Sequence, residues 1–329
     1  MFVPEILKSR TITAAAALFA LAGMLSGCST LPTDSPIEPV DYRACLVTDG
    51  NASTTGLNES SLYSLNQAVV TFGIQKTIVE SSPSKFDKNL DKLVKQSCNF
   101  ITIVGARFTD LLQPNVESNP NINFLFITDE PETRILSADL SNLAIYRVDV
   151  YEAGLLAGHL AASITATRQI AVVCEKAGDS LFHRGVNAGL RKYDEESGTT
   201  TSANTHSMSV APIDVYLAYR CQNELPGYLE AAAGSFKVVG FGRDFYLNPR
   251  LSDAKEFVAA TIIPQAGARL FEAIAADLES EFIGGRLGST VASFSNGGLV
   301  ISQEHEVSLP AGELEKLQAV ASDYEISLK

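Results

Sequence analysis

Positive charge is in short supply in this sequence. Its 329 residues carry 25 Lys and Arg against 38 Asp and Glu, a formal net charge of −13. A nucleic-acid-binding face needs clustered basic residues, and none is visible, so the chain is not built to collect phosphates. Acidity of this kind serves solubility instead. Histidine and cysteine are also sparse. His159, His183, His206 and His305 lie far apart and have no metal-ligand spacing. The five cysteines include no C-x-x-C pair, so no zinc site is called for. There is no Gly-x-Ser-x-Gly elbow. Gly240-Phe241-Gly242 is too short for a dinucleotide fingerprint and reads as a strand ending in a tight turn. No catalytic arrangement, metal site or cofactor follows from these residues.

What is present begins at the amino terminus. Lys8 and Arg10 precede an apolar run from Ile12 to Leu25, followed by Leu25-Ser26-Gly27-Cys28. A positive start, a short apolar core and small residues before a cut describe a secretory signal. The core falls short of the roughly 20 apolar residues that span a bilayer. Leu-Ser-Gly-Cys resembles the lipobox of bacterial lipoproteins. The resemblance implies cleavage after a signal peptide of residues 1–27 and lipidation of Cys28, with two or three acyl chains anchoring stably where one would not. Residues 28–40, polar and Pro-rich, read as an unfolded tether. The expected location is the extracytoplasmic face of the cell membrane, held there by lipid.

The folded body starts near Asp41, and the whole chain, 46% hydrophobic and 19% charged, has a globular balance. Short β-rich runs alternate with helical patterns. The first series has strands at Arg43–Thr48, Thr77–Glu80, Phe100–Gly105, Phe124–Ile127 and Ala144–Val148, with helices from Asn58 and Lys85 between them. After a long helix at Tyr151–Ala166 the pattern restarts, with strands at Gln169–Cys174, Asp214–Tyr219, Lys237–Gly242 and Val258–Ile263 and a helix directly after Pro264. Short strands near Thr290–Phe294 and Leu299–Ile301 and a final helix follow. Continuous apolar strands separated by helices predict parallel sheets covered on both faces. Two such series predict an α/β protein with two doubly wound lobes around a cleft. The expected division is 41–145 with 264–285, and 146–263 with 286–329.

In doubly wound sheets, ligands sit beyond the carboxyl ends of the strands. That rule nominates Asp49 and its neighbours Thr48, Gly50 and Asn51, then Gly105–Arg107, then Thr128 and Asp129. In the second lobe it nominates Glu175–Ala177, Cys221–Asn223, and Gly242, Arg243 and Asp244. Asn58 starts a helix beside the first of these loops. Asp49, Asn58, Asp129, Gly242, Arg243 and Asp244 are the candidate ligand contacts, set against simple loop capping as the plainer explanation. Glu152 is explained as well by a favourable charge at a helix start. Gly154 and Gly158 suit close helix packing better than ligand contact.

Beside Cys28 there are four cysteines, Cys45, Cys98, Cys174 and Cys221, each in or beside an apolar run. Two readings stand: buried thiols, or disulfides of the sort an exported protein can keep. If any pair is close enough to bond, the expected one is Cys174 with Cys221, both at strand ends in the second lobe.

Several segments together resemble the basic membrane protein family of lipoproteins, which includes purine nucleoside receptors of bacterial ABC importers. They are the lipobox, Leu46-Val47-Thr48-Asp49-Gly50, Leu57-Asn58-Glu59-Ser60, Ile103-Val104-Gly105, Tyr151-Glu152-Ala153-Gly154-Leu155-Leu156-Ala157-Gly158, Phe182-His183-Arg184-Gly185-Val186-Asn187-Ala188-Gly189, Val238-Val239-Gly240-Phe241 and Phe271-Glu272-Ala273-Ile274. The resemblance implies a type I periplasmic-binding-protein fold, a small-molecule ligand in the cleft and an ABC permease as partner. Departures accompany it. Leu57 and Leu229 stand where the nucleoside binders place stacking aromatics, Gly242 replaces an acid that holds ribose, and Pro264 replaces a lysine. Purine nucleoside binding therefore does not follow, since base–aromatic stacking is worth about 1–3 kcal/mol per base. The expected function is that of a solute-binding lipoprotein for a small polar ligand. The alternative is a sensory lipoprotein without transport, and an enzyme has only fold-level analogy behind it.

Overall fold

The computed structural model describes residues 41–50, 56–129, 139–174, 180–205, 213–219, 236–247, 249–302 and 309–328. The chain divides into units 1–37 and 38–329, and all the described residues belong to the second. Cys28, Asn51, Glu175–Ala177, Cys221–Asn223 and Leu229 lie outside the described residues.

The body is built on two six-stranded sheets. The first holds β1 (Arg43–Thr48), β2 (Gln75–Glu80), β3 (Phe100–Val104), β4 (Asn123–Thr128), β5 (Leu143–Val148) and β11 (Thr290–Ala292), in the order β11-β5-β4-β3-β1-β2 and all parallel. The second holds β6 (Gln169–Val173), β7 (Ser202–Thr205), β8 (Val215–Tyr219), β9 (Lys237–Phe241), β10 (Val258–Pro264) and β12 (Leu299–Ser302), in the order β12-β10-β9-β8-β6-β7, with only β12 antiparallel.

Alternate side chains of each central strand enter different cores, which is why these strands read as unbroken apolar runs. In the first sheet, Ala44, Leu46, Phe100, Leu125 and Ile127 face one side. Cys45, Val47, Ile101, Ile103, Phe124 and Phe126 face the other. Helices α1 (Gly56–Phe72) and α6 (Ala266–Leu278) cover the first side, and α2 (Phe86–Lys95) and α3 (Thr109–Glu117) the second. The second sheet repeats the plan. Ile170, Val172, Leu217 and Val239 pack beneath α4 (Val150–Ile164) and α5 (Leu181–Ser197), while Ala171, Tyr216 and Val238 join Phe236, Phe245 and Leu251 on the opposite face. The last helix, α7 (Glu313–Leu328), contributes Leu317 and Val320 to the larger core.

The segments Tyr151–Gly158 and Phe182–Gly189 owe their glycines to this packing. A Cβ on Gly154 or Gly158 would overlap the carbonyls of Phe182 or Val186. A Cβ on Gly185 or Gly189 would overlap those of Tyr151 or Leu155. Four glycines thus let α4 and α5 lie backbone against backbone, the packing role expected of Gly154 and Gly158.

Among the described residues, three segments pass between the sheets: β5 into α4, β10 into α6, and β11 into β12. The sheets depart from the sequence-based division at several boundaries: Tyr146–Val148, expected with the second lobe, belong to β5 of the first sheet, and Pro264, expected with the first lobe, closes β10 of the second. Residues 286–329 were expected with the second lobe, yet Thr290–Ala292 pairs with Tyr146–Val148 in the first sheet. A three-residue strand carries no record of its partner. It joins the first sheet by parallel pairing with β5, and just ahead of it Ser289 Oγ accepts from the Ile145 N–H.

The cysteines also settle in part. Cys45 of β1 and Cys98, just ahead of β3, form a disulfide with Cα atoms 6.0 Å apart. Parallel pairing of β1 with β3 brings them together beneath the α2 face. Cys174 is disulfide-bonded as well.

Candidate functional site

At the carboxyl edge of the first sheet the chain turns immediately after β1. Thr48 Oγ1 donates to the Gly50 carbonyl at 2.7 Å, and the Asp49 N–H donates to the Val104 carbonyl of β3 at 3.1 Å. Asp49 is therefore anchored by its backbone to the neighbouring strand. Gly105 makes space for its side chain. The glycine sits at φ +124°, a conformation L side chains rarely adopt, and a Cβ there would overlap the Asp49 carboxyl group. Arg107 Nη1 donates to the Asp49 carbonyl at 3.2 Å.

Asn58 lies in the first turn of α1 and is 1% exposed. Its Nδ2 donates to Asp49 Oδ1 over 3.4 Å, a long bond that places amide and carboxylate side by side. Asp129 directly follows Thr128, the last residue of β4. Because β4, β3 and β1 are consecutive neighbours, Asp129, Gly105 and Asp49 top three adjacent strands. Neighbouring strands stand about 4.8 Å apart. The edge so formed is a row of polar groups with a helix start beside it, able to bind a ligand through hydrogen-bond acceptors and amide donors.

The second lobe contributes the loop after β9. Gly242 donates its N–H to the Ile262 carbonyl at 3.0 Å and sits at φ +116°. Asp244 Oδ1 accepts the N–H groups of Tyr246 and Leu247 at 2.9 and 3.3 Å, and its Oδ2 accepts from Ser302 Oγ at 3.0 Å. Phe245, fully buried, packs its ring against Gly240. These contacts fasten the loop to its own sheet. Arg243 points the other way, and its Nη1 donates to Glu59 Oε2 of α1 at 2.6 Å. Of the six candidate contacts, Asp49 and Asn58 come into mutual contact, Asp129 shares their edge, and Gly242–Asp244 lie against the start of α1. Arg243 and Asp244 are engaged with protein groups.

An open groove of about 370 Å³ runs beside this junction, lined by Glu59, Ser60 and Tyr63 of α1, by Gly242–Asp244 and Leu247, and by Pro264 and Gln265 of the second crossover. The replaced positions fit the surroundings in apolar fashion: Leu57 packs partly buried against the larger core, and Pro264 is buried as the last residue of β10.

Two participants escaped the sequence. Glu59 was quoted only as part of a motif, and nothing local marks a partner 184 residues away. Glu152, a candidate acid explained as well by a charge at a helix start, does lie in the first turn of α4, but its burial was not foreseen: it is 0% exposed. Its two carboxyl oxygens face the Phe294 N–H of the third crossover at 3.3 and 3.2 Å. Asp149, at the first crossover, caps α4 by accepting the Glu152 N–H at 3.0 Å and also accepts from Tyr324 Oη at 3.2 Å. Burial, reinforced by the Asp149 charge, pushes the Glu152 carboxyl from 4.5 up to about 8; the Phe294 N–H opposes the rise and Glu325 adds to it.

Comparison with known proteins sets this geometry in context. Residues 42–204 match the family model described as ABC transporter substrate-binding protein PnrA-like. The chain is 26% identical over 172 residues to basic membrane protein A1 of Borrelia garinii subsp. bavariensis, covering 50% of this chain and 47% of that protein. It thus spans about half the length of the curated relatives it matches. Among solved structures, an ABC transporter solute-binding protein from Aeropyrum pernix K1 superposes with a TM-score of 0.64 at 18% identity, covering 86% of both chains. Another, from Conexibacter woesei, gives 0.66 at 14% identity, covering 88% of this chain and 97% of the other. At such identities these structures establish the fold alone: two parallel-sheet lobes of the type I periplasmic-binding-protein kind.

Proposed function

Because the chain belongs to the basic membrane protein family of substrate-binding proteins, we propose that it is a lipid-anchored, extracytoplasmic receptor that delivers a small polar solute to an ABC permease. The observation that supports this most is the contact between Asp49 and Asn58 at the carboxyl edge of the first sheet. A carboxylate and a buried amide held side by side beyond a strand end offer paired acceptors and a donor, which suits a ligand bearing hydroxyl or amino groups. Asp129 on the same edge extends that surface. The anchor rests on Leu25-Ser26-Gly27-Cys28, and the permease on the family's role.

The solute is not a purine nucleoside in this reading. Leu57 offers no aromatic face, and Gly242 offers no side chain to a ribose. Desolvated hydroxyls left without partners cost about 1–3 kcal/mol each. The test is a thermal-shift screen of the purified protein against nucleosides, bases, sugars and amino acids, followed by calorimetry. A ligand at 100 times its Kd adds about 2.7 kcal/mol of stability. A polar solute is expected to stabilise the protein and to lose its effect in Asp49→Ala and Asn58→Ala. Sub-micromolar binding of adenosine, guanosine or inosine would overturn the ligand assignment, and a solute whose binding survives both substitutions would overturn the site.

A further inference from the structure

The two lobes touch through groups that a solute does not supply. Gly56 opens α1 in the first lobe, and a Cβ built on it would lie 2.7 Å from the Gly242 carbonyl oxygen of the second. Only two bare backbones approach so closely. One turn along, Glu59 meets Arg243 at 2.6 Å, with side chains 40% and 16% exposed. The Arg243 loop cannot drift to meet Glu59 by itself. Asp244 ties it to Ser302 of β12, and the Phe245 N–H donates to Thr261 Oγ1 of β10 at 3.3 Å. Any opening of the lobes at this point must therefore separate Glu59 from Arg243 and Gly56 from Gly242 together.

We propose that Gly56, Glu59, Gly242 and Arg243 form a latch that holds the cleft closed at the α1 end without help from the solute. The proposal rests on the solute-receptor reading for its purpose but not for its test. A ligand shifts an opening equilibrium only by its differential affinity for the two states. A built-in latch shifts the same equilibrium beforehand, so the solute meets a receptor already biased toward closure, binding more tightly once inside and entering more slowly. The latch also recasts Gly242 and Arg243. Their work is lobe against lobe, and the space between Gly56 and Gly242 admits no ligand group.

The two halves of the latch can be broken separately. Gly56 lies outside the left-handed region of backbone conformation, so Gly56→Ala adds only a methyl group, which wedges the lobes apart against a backbone carbonyl. Glu59→Gln keeps the shape and removes the charge. The experiment is a distance measurement between spin labels on the full chain, one at Val70 on α1, which is 74% exposed, and one at the exposed Glu195 on α5. No solute is added. The unaltered latch is expected to give one narrow distance distribution. Glu59→Gln should raise the open fraction about two- to fivefold, the range for a partly exposed ion pair, and high salt should do the same. Gly56→Ala should open the lobes further. The exchange of Glu59→Arg with Arg243→Glu should restore the narrow distribution, which a merely damaged fold would not do. Distributions that are the same in all variants, or a broad one in the unaltered protein, would overturn the latch. Failure of every solute to bind would sink the receptor reading while leaving these distances as they are.

Discussion

Glu152 makes the stability of this protein depend on pH in an unusual direction. Its carboxyl group is raised from 4.5 to about 8 by burial and by Asp149. Between those values the folded protein holds a proton that the unfolded chain has released. The stability this proton contributes is complete below about pH 4.5 and is lost as the pH rises toward 8. The slope is about 1.4 kcal/mol per pH unit wherever one state binds the proton and the other does not. From pH 6 to pH 8 the loss comes to about 2 kcal/mol, allowing for half-titration at the upper end. For a body of this size that lowers the melting temperature by about 4 °C. Glu152→Gln keeps an oxygen for the Phe294 N–H and removes the titration. The assay is urea denaturation of both proteins at pH 6 and pH 8. The parent should lose about 2 kcal/mol more than the variant over this interval, and Glu152→Gln should be the steadier protein at pH 8. If the two lose stability in parallel, Glu152 is ionised throughout and the argument from burial fails. Because Glu152 and Asp149 tie the first crossover to the third, the lobe-to-lobe distances in the label experiment provide a second readout.

Three further outcomes follow from other parts of the molecule. Cys45→Ala with Cys98→Ala opens a loop closed across 53 positions; loop-closure entropy sets the loss at about 4 kcal/mol, and a denaturation midpoint unchanged from that of the parent would show the bond to be energetically idle. Gly158→Ala drives a methyl group into the Val186 carbonyl, so it should cost about 1–3 kcal/mol or more as overpacking; a neutral result by chemical denaturation would mean that α4 and α5 can slide. Cys28→Ala should abolish incorporation of a labelled fatty acid and release the protein from the membrane, and labelling that persists would refute the anchor.

Much of the architecture could be read along the chain, because it is written in local terms. Apolar runs of strand length between amphipathic helices specify parallel sheets with two covered faces, and their restart at Gln169 specifies a second lobe. Gly154 and Gly158 could be assigned to packing from the sequence, whereas the matching role of Gly185 and Gly189 on the facing helix appears only in the structure. Asp49 and Asp129 were nominated by a positional rule, that ligands sit beyond strand ends, which needs only the strand boundaries, and Asn58 as the helix start beside the first of those loops. Other features depend on distance in space. Thr290–Ala292 is too short to name its sheet. Cys45 finds Cys98 because β1 and β3 are neighbours, although Thr77–Glu80 intervenes in sequence. Arg243 becomes a lobe contact only when folding carries Glu59 to it, and Glu152 becomes a titrating group only when α7 and the third crossover exclude water from it. Local pattern determined the elements and their order, since hydrophobic period and turn chemistry act over a few residues. Tertiary structure alone decided which charges are paired or buried, since burial and electrostatic contact depend on the distance between atoms and not on their separation along the chain.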